Sequence, residues 1–397
     1  MGDTEDFFQN EDTIFADKEL LEINHLPQNE RIVGRDKEIE QLASATNPAL
    51  FGQSPSNVLI YGKTGTGKSL CAKHVSRTAV NLADDNGVSV EYAYIDCSQD
   101  PSETQTVRAL AKSFNDEEAT GVSVPEKGIS TSSYYNRLWE ILDERVDVAI
   151  VILDEIDILD SDSVLMQLSR AGEAGKIEHS KIGVIGISNK IKYKSRMDER
   201  VKSSLCEREF VFPPYDANQL REILTARDDA FRDGVLESGV IPRAAALAAQ
   251  EHGDARKAID MLRYAGEIAQ SRGVDTVQEE FVNEARSRAE TDRFRELIRG
   301  ATPHSRYALQ ALTLLSLNSD RQDEFRTSKV YDMYEQVCSE HASDPLSQRR
   351  VRDLLKEHAF LDILEQSREM GGPDGKFMSH RLLEDPETVQ EVLLETE

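Results

Sequence analysis

The stretch GKTGTGKS, residues 62–69, constrains the fold more than any other part of the chain. It follows the apolar run VLIY at 58–61 and leads into LCAKHVSRTAV, a helix-forming segment. Gly62, Lys63, Thr64, Gly65, Thr66, Gly67, Lys68 and Ser69 therefore satisfy G-x-x-x-x-G-K-[ST] in the strand–loop–helix context that the motif requires. In such a loop the glycines let backbone N–H groups wrap a β-phosphate. Lys68 reaches the β and γ oxygens, and Ser69 offers its hydroxyl to Mg²⁺ at the positive end of the helix. The predicted architecture is a parallel sheet with helices on both faces, holding ATP or ADP.

Two further strands complete that expectation. DVAIVILDEIDIL, 147–159, is a continuous apolar run of the kind buried on both faces of a parallel sheet, and it reaches Asp154 and Glu155. At the C-terminal edge of such a strand Asp154 holds Mg²⁺ through its water shell while Glu155 polarises the attacking water. KIGVIGISNK, 181–190, reads as a third buried strand that ends at Asn189, a donor and acceptor placed to orient that water.

The chain has 397 residues, enough for two or three domains. No apolar run approaches the roughly 20 residues of a membrane-spanning helix, and the start, MGDTEDFFQNED, lacks a signal-like core. A cytoplasmic, nucleoid-associated protein without membrane partners is expected. The four cysteines (Cys71, Cys97, Cys206, Cys338) have no zinc-ligand or C-x-x-C spacing. Asp plus Glu outnumber Lys plus Arg by 73 to 47, for a net charge of −26, yet apolar periodicity argues against disorder. Such a surface suits a salty, halophilic cytoplasm, where ions screen carboxylate repulsion.

Residues 1–30 read as an acidic mobile tail and 31–214 as the nucleotide-binding base. Pro213 and Pro214 then mark a change to successive helices, an all-α lid at 215–290. A charged connecting helix or linker at 291–302 precedes the domain at 303–397. There three helix patterns are followed by two extended arms around GGPDG, which describes a winged helix-turn-helix. In its DPLSQRRVRDLLKEH segment, Val351, Leu354 and Leu355 take core spacing. Ser347 is placed to cap the helix and is itself a candidate DNA contact. Gln348, Arg349 and Arg352 fall on other faces, at the helix end that enters a major groove, with Arg350 a phosphate contact. Lys376, His380 and Arg381 on the hairpin are candidate contacts to the adjacent backbone or minor groove. The alternative is three arginines on a solvated helix among acidic neighbours.

Phosphate loop, acidic motif and asparagine, in this order and separation, resemble the AAA+ ATPases. PEKGISTSSYYNRLWEIL, MDERVKSSLCEREFVFPPYDANQLREIL and HGDARKAIDMLRYAGEIA further resemble the archaeal replication initiators related to the origin recognition complex and its helicase loader, over nearly the whole chain. That resemblance implies that Arg256 is the sensor-two arginine reaching from the lid to the γ-phosphate. It implies that Arg200 is an arginine finger for a neighbouring subunit, with Arg208 a competitor because Ser204 is followed by Leu205 rather than arginine. In RIVGRDKEIEQL the backbone near Ile32 and Val33 would meet adenine. The insertion before Tyr134, with Arg108 and Lys112, lies where initiators approach DNA.

The function so implied is an ATP-regulated replication initiator that binds double-stranded origin DNA, helps unwind it and recruits an MCM-type helicase, alone or beside other initiator copies. Slow ATP hydrolysis would act as a switch. A clamp-loader-like or remodelling ATPase and an ATP-sensing winged-helix transcriptional regulator are the alternatives, and the DNA target separates the last from an initiator.

Overall fold

The computed structural model describes residues 13–22, 32–99, 101–190, 193–319, 324–361, 363–371, 375–383 and 385–395. It divides into two units, 1–285 and 286–397. The first opens with helix α1 (Asp36–Thr46), strand β1 (Val58–Gly62) and helix α2 (Lys68–Asp85). Then follow β2 (Val90–Asp96), α3 (Glu103–Phe114), α4 (Glu117–Thr120), α5 (Thr131–Arg145), β3 (Val148–Asp154), α6 (Ser163–Ser169), β4 (Lys181–Ser188), α7 (Glu199–Leu205) and β5 (Arg208–Phe212).

The five strands form one parallel sheet in the order β2-β3-β4-β1-β5. All of β1 and β3 is buried, as is β4 after its first residue, which is why these segments carry unbroken Val, Ile and Leu runs. Two apolar clusters flank the sheet. On one face α1 and α2 supply Leu42, Cys71, Ala72 and Val75; on the other α3, α5, α6 and α7 supply Leu110, Trp139, Leu165 and Leu205. The acidic and phosphate-binding ends of β1, β3 and β4 meet at the sheet's C-terminal edge, where parallel sheets bind ligands.

The lid consists of α8 (Ala217–Thr225), α9 (Val240–Gln250), α10 (Ala255–Arg272) and the first part of α11 (Glu279–Gly300). Asp216 and Gln219 form a reciprocal capping box on α8, and Asp254 caps α10 through the Arg256 and Lys257 amides. Residues 291–302 were expected as a charged connecting helix or linker, and α11 is helical as far as Gly300.

The acidic start also departs from expectation. Residues 13–22 are not a mobile tail: Ile14, Phe15 and Leu21 are buried in the lid's apolar cluster. Ala16 and Asp17 donate to the carbonyl of Ala230, Arg232 donates to that of Ile14, and the Phe15 ring lies 5.0 Å from that of Phe231. Three apolar side chains outweigh the local charge. The rest of 1–30 lies outside the described residues.

In the second unit α12 (Pro303–Leu317), β6 (Phe325–Arg326), α13 (Thr327–Glu340), α14 (Gln348–Phe360), β7 (Leu364–Gly371), β8 (Gly375–Leu382) and α15 (Pro386–Glu395) enclose one core. The antiparallel order β6-β8-β7 gives the expected hairpin, to which the structure adds a short third strand and a final helix. Replacing Phe15 by Ala should cost about 3 kcal/mol of lid stability, as for other buried aromatics. Hydrogen exchange should then accelerate in α9 and α10 while the protection of β3 holds.

Candidate nucleotide site and nucleic-acid interface

Backbone geometry sets up the first site. Gly65 and Gly67 have φ of 72° and 85°, in the left-handed region that glycine enters without steric cost. Space tightens the requirement: a Cβ on Gly65 would lie 1.7 Å from Asp254 Oδ1, and one on Gly67 2.6 Å from Tyr215 Oη. The lid therefore rests directly on the loop, and the Ala255 amide donates to the Gly65 carbonyl at 3.1 Å.

Base and lid enclose a cleft of about 410 Å³. Of the sequence-predicted residues, Ile32, Val33, Thr64, Gly65, Thr66, Gly67, Lys68, Ser69, Asp154, Glu155, Asn189 and Arg256 all line it. Gly62 and Lys63 lie behind the loop, where their carbonyls accept the Lys68 ammonium at 2.9 and 2.7 Å. Burial lowers the Lys68 pKa to about 8, against the opposing pull of Asp154.

The acidic motif is held by four donors. Ser69 Oγ and Tyr94 Oη, the latter at 2.9 Å, both donate to Asp154 Oδ2, while the Glu155 amide donates to Oδ1. Glu155 has a left-handed backbone, φ 54°, unusual for a residue with a side chain and a mark of a constrained turn. Its carboxylate accepts from Asn189 Nδ2 at 3.0 Å. Burial raises its pKa, and the Asp96, Asp154 and Asp157 charges add to the effect. A carboxylate so perturbed beside an asparagine is suited to accept a proton from water.

Several cleft residues escaped the sequence reading. Arg35, 1 % exposed and behind the cleft wall rather than lining it, donates to the Thr66 and Pro213 carbonyls and stacks 3.8 Å from the Tyr215 ring centre. Tyr94, Lys73, Asp96, Ile223, Arg227 and Ile259 line the cleft itself. Asp254 had a visible signal, since an aspartate directly before a helix is a cap. Arg35 had only its place in the segment assigned to adenine.

Arg200 is exposed on α7 and does not line its own chain's cleft; its amide donates to Asp198 Oδ1. Arg208 donates to Ser44 Oγ instead. On α3, Arg108 and Lys112 both pair with Glu126, so these two basic side chains of the insertion are engaged within the unit.

On α14, Val351 and Leu355 are buried and Leu354 partly so, matching the expected core face. Ser347 occupies the N-cap position, without a side-chain capping bond. Gln348, Arg349, Arg350 and Arg352 are exposed, with no hydrogen bond or ion pair among the described residues. Arg381 pairs with Glu365 across the hairpin, and Lys376 lies on β8 with its side chain outside the described part. His380 is a correction: it is fully buried, bonded to Thr327 Oγ1 at 2.8 Å, and burial lowers its pKa to about 4. It holds the hairpin against α13 and offers nothing to DNA.

Comparison with known proteins matches 31–177 to an AAA ATPase domain, 221–287 to the Cdc6 AAA+ ATPase-type lid domain and 296–392 to the CDC6 C-terminal winged helix domain. ORC1-type DNA replication protein 4 of Halobacterium salinarum is 56 % identical over 389 residues, covering 98 % of this chain and 94 % of the relative. ORC1-type DNA replication protein 9 of Haloarcula marismortui is 49 % identical over 378 residues, covering 95 % and 90 %. Among solved structures, the Aeropyrum pernix ORC1 protein in complex with DNA superposes with a TM-score of 0.86 at 35 % identity, covering 97 % and 98 %.

Gly65→Ala should force Asp254 off the loop, with about 1 to 2 kcal/mol of backbone strain besides. Faster exchange of the first α10 amides, with β1 unaffected, is the expected result.

Proposed function

The chain belongs to the ORC1/Cdc6-type replication initiators, and from that premise we propose that it binds origin DNA under ATP control, opens it locally and recruits the replicative helicase. The observation that carries the reading is the exposed set Gln348, Arg349, Arg350 and Arg352 at the start of α14, whose side chains have no ion pair among the described residues. In a chain of net charge −26, exposed arginines with so many carboxylates available to neutralise them point to an external anion. Arg pairs bidentately with guanine and Gln with adenine in the major groove, while Arg350 and Lys376 serve the phosphates. The structure of the Aeropyrum pernix relative in complex with DNA supports DNA as the ligand.

ATP control rests on the cleft. The loop amides and the start of α2 cradle phosphate, and Lys68 swings from loop carbonyls to phosphate oxygens. Ile32 and Val33 take the adenine, whose apolar surroundings include Ile223 and Ile259. The donors near Ser69 and Asp154 are oxygens, and among the described residues no three His, Cys, Asp or Glu side chains form a metal-holding group. That set fits Mg²⁺, a hard cation that arrives with phosphate and retains water. Mg²⁺ supplies charge neutralisation at the β and γ oxygens when bound. Glu155, oriented by Asn189, receives the proton of the attacking water. Arg256 projects from the lid into the same cleft, so contact with the γ-phosphate fixes the lid's position and its loss releases it. Arg200 is assigned to a neighbouring copy's nucleotide, which makes turnover by a lone chain slow. An MCM-type helicase and further initiator copies are the proposed protein partners.

The net charge of −26 and the relatives from halophilic archaea support a working environment of concentrated salt. Counterion release then contributes little, and affinity rests on base contacts. Fluorescence anisotropy in molar KCl on a duplex enriched from a random library should show Arg349→Ala losing about 1 to 3 kcal/mol against that duplex. Loss of the same size on random duplex would make Arg349 a phosphate contact, and no enrichment at all would overturn the DNA reading.

Lys68 gives a pH test with a definite sign. Its folded pKa, about 8, lies below the ordinary lysine value of 10.5, so the unfolded chain binds more protons between these values and stability rises with pH there. Phosphate reverses the preference by stabilising the charged ammonium. Nucleotide affinity should therefore fall as pH rises above about 8. Titration calorimetry should show this in the wild type, and Lys68→Ala should remove tight binding throughout.

A further inference from the structure

We propose that Tyr94 is a positioning residue for the metal–nucleotide complex, holding Asp154 in the orientation that Mg²⁺ requires. The inference rests on the nucleotide-site reading and adds a residue that the phosphate-loop and acidic motifs do not contain.

Tyr94 sits on β2, paired in register with Ile152 of β3, two residues before the Asp96–Asp154 pair. Strand alternation puts Ala93 and Ile95 in the apolar cluster on the far face and turns Tyr94 toward α2. There its hydroxyl donates to Asp154 Oδ2 at 2.9 Å, the oxygen that also accepts from Ser69. The ring is held as well: Lys73 Nζ, one helical turn beyond Ser69, lies 3.3 Å from its centre.

These contacts fix both carboxylate oxygens. The Glu155 amide fixes Oδ1 and the tyrosine hydroxyl fixes Oδ2, so Asp154 keeps its plane when Ser69 turns its oxygen to a cation. Without the phenol the carboxylate is held from one side only. Partners of this kind are worth about 10- to 100-fold in affinity where they orient a direct metal ligand. An aspartate acting through water should show the lower end.

The test is Tyr94→Phe, which keeps the ring and its Lys73 contact and removes one oxygen. Binding of a fluorescent ATP analogue is followed in molar KCl across a Mg²⁺ titration, and again in EDTA. The half-saturating Mg²⁺ concentration should rise about tenfold in the variant. Affinity in EDTA and the unfolding temperature should match the wild type, which separates a positioning role from general damage. An unchanged or lower Mg²⁺ requirement in the variant, with a Mg²⁺-dependent wild type, would overturn the Tyr94 inference alone. A wild type that binds no nucleotide would overturn the site reading beneath it.

Discussion

A buried guanidinium holds the nucleotide site together. Arg35 reaches the Thr66 carbonyl in the phosphate loop and the Pro213 carbonyl where base gives way to lid, with Glu38 at 3.6 Å and the Tyr215 ring below. Burying that charge is costly unless it is paired and hydrogen-bonded, and here it is both. Thr66 precedes Gly67, whose α-hydrogen side faces the Tyr215 hydroxyl, so loop conformation and lid entry are fixed by the same cluster. The phosphate loop, the segment around Arg35 and the start of the lid are thus one structural unit.

That unit explains how a small ligand can govern a large protein. The lid touches the loop through Asp254 and Ala255, and Arg256 follows directly into the cleft. Residues 13–22 ride on the same lid, fastened by Phe15 and Leu21, and end at Glu22, another cleft-lining residue. Any change that nucleotide makes in lid position is carried by α10 and by this strap together.

Much of this was legible in sequence, for local reasons. Strands buried on both faces must be continuously apolar, so β1, β3 and β4 announced themselves, and the phosphate loop between β1 and α2 named the ligand class. The α14 core face followed from Val351, Leu354 and Leu355. Arg35 was not legible because its partner Pro213 lies 178 residues away, and no spacing rule spans such a distance. Tyr94 looked like one more strand residue until β3 and α2 were placed around it. Composition misled for residues 13–22, whose carboxylates concealed three core side chains. His380 looked like a hairpin contact, but pairing with Phe325 and Gln366 turns it inward.

Nucleotide in the cleft is proposed to control DNA opening by this winged-helix initiator. Nuclease and permanganate footprinting on chromosomal fragments enriched by the purified protein, in molar KCl with ATP, ADP or neither, tests it most directly. Protection of repeated elements beside thymines that become permanganate-reactive only with ATP is the predicted result. Protection confined to promoters, or thymine reactivity indifferent to nucleotide, would contradict it.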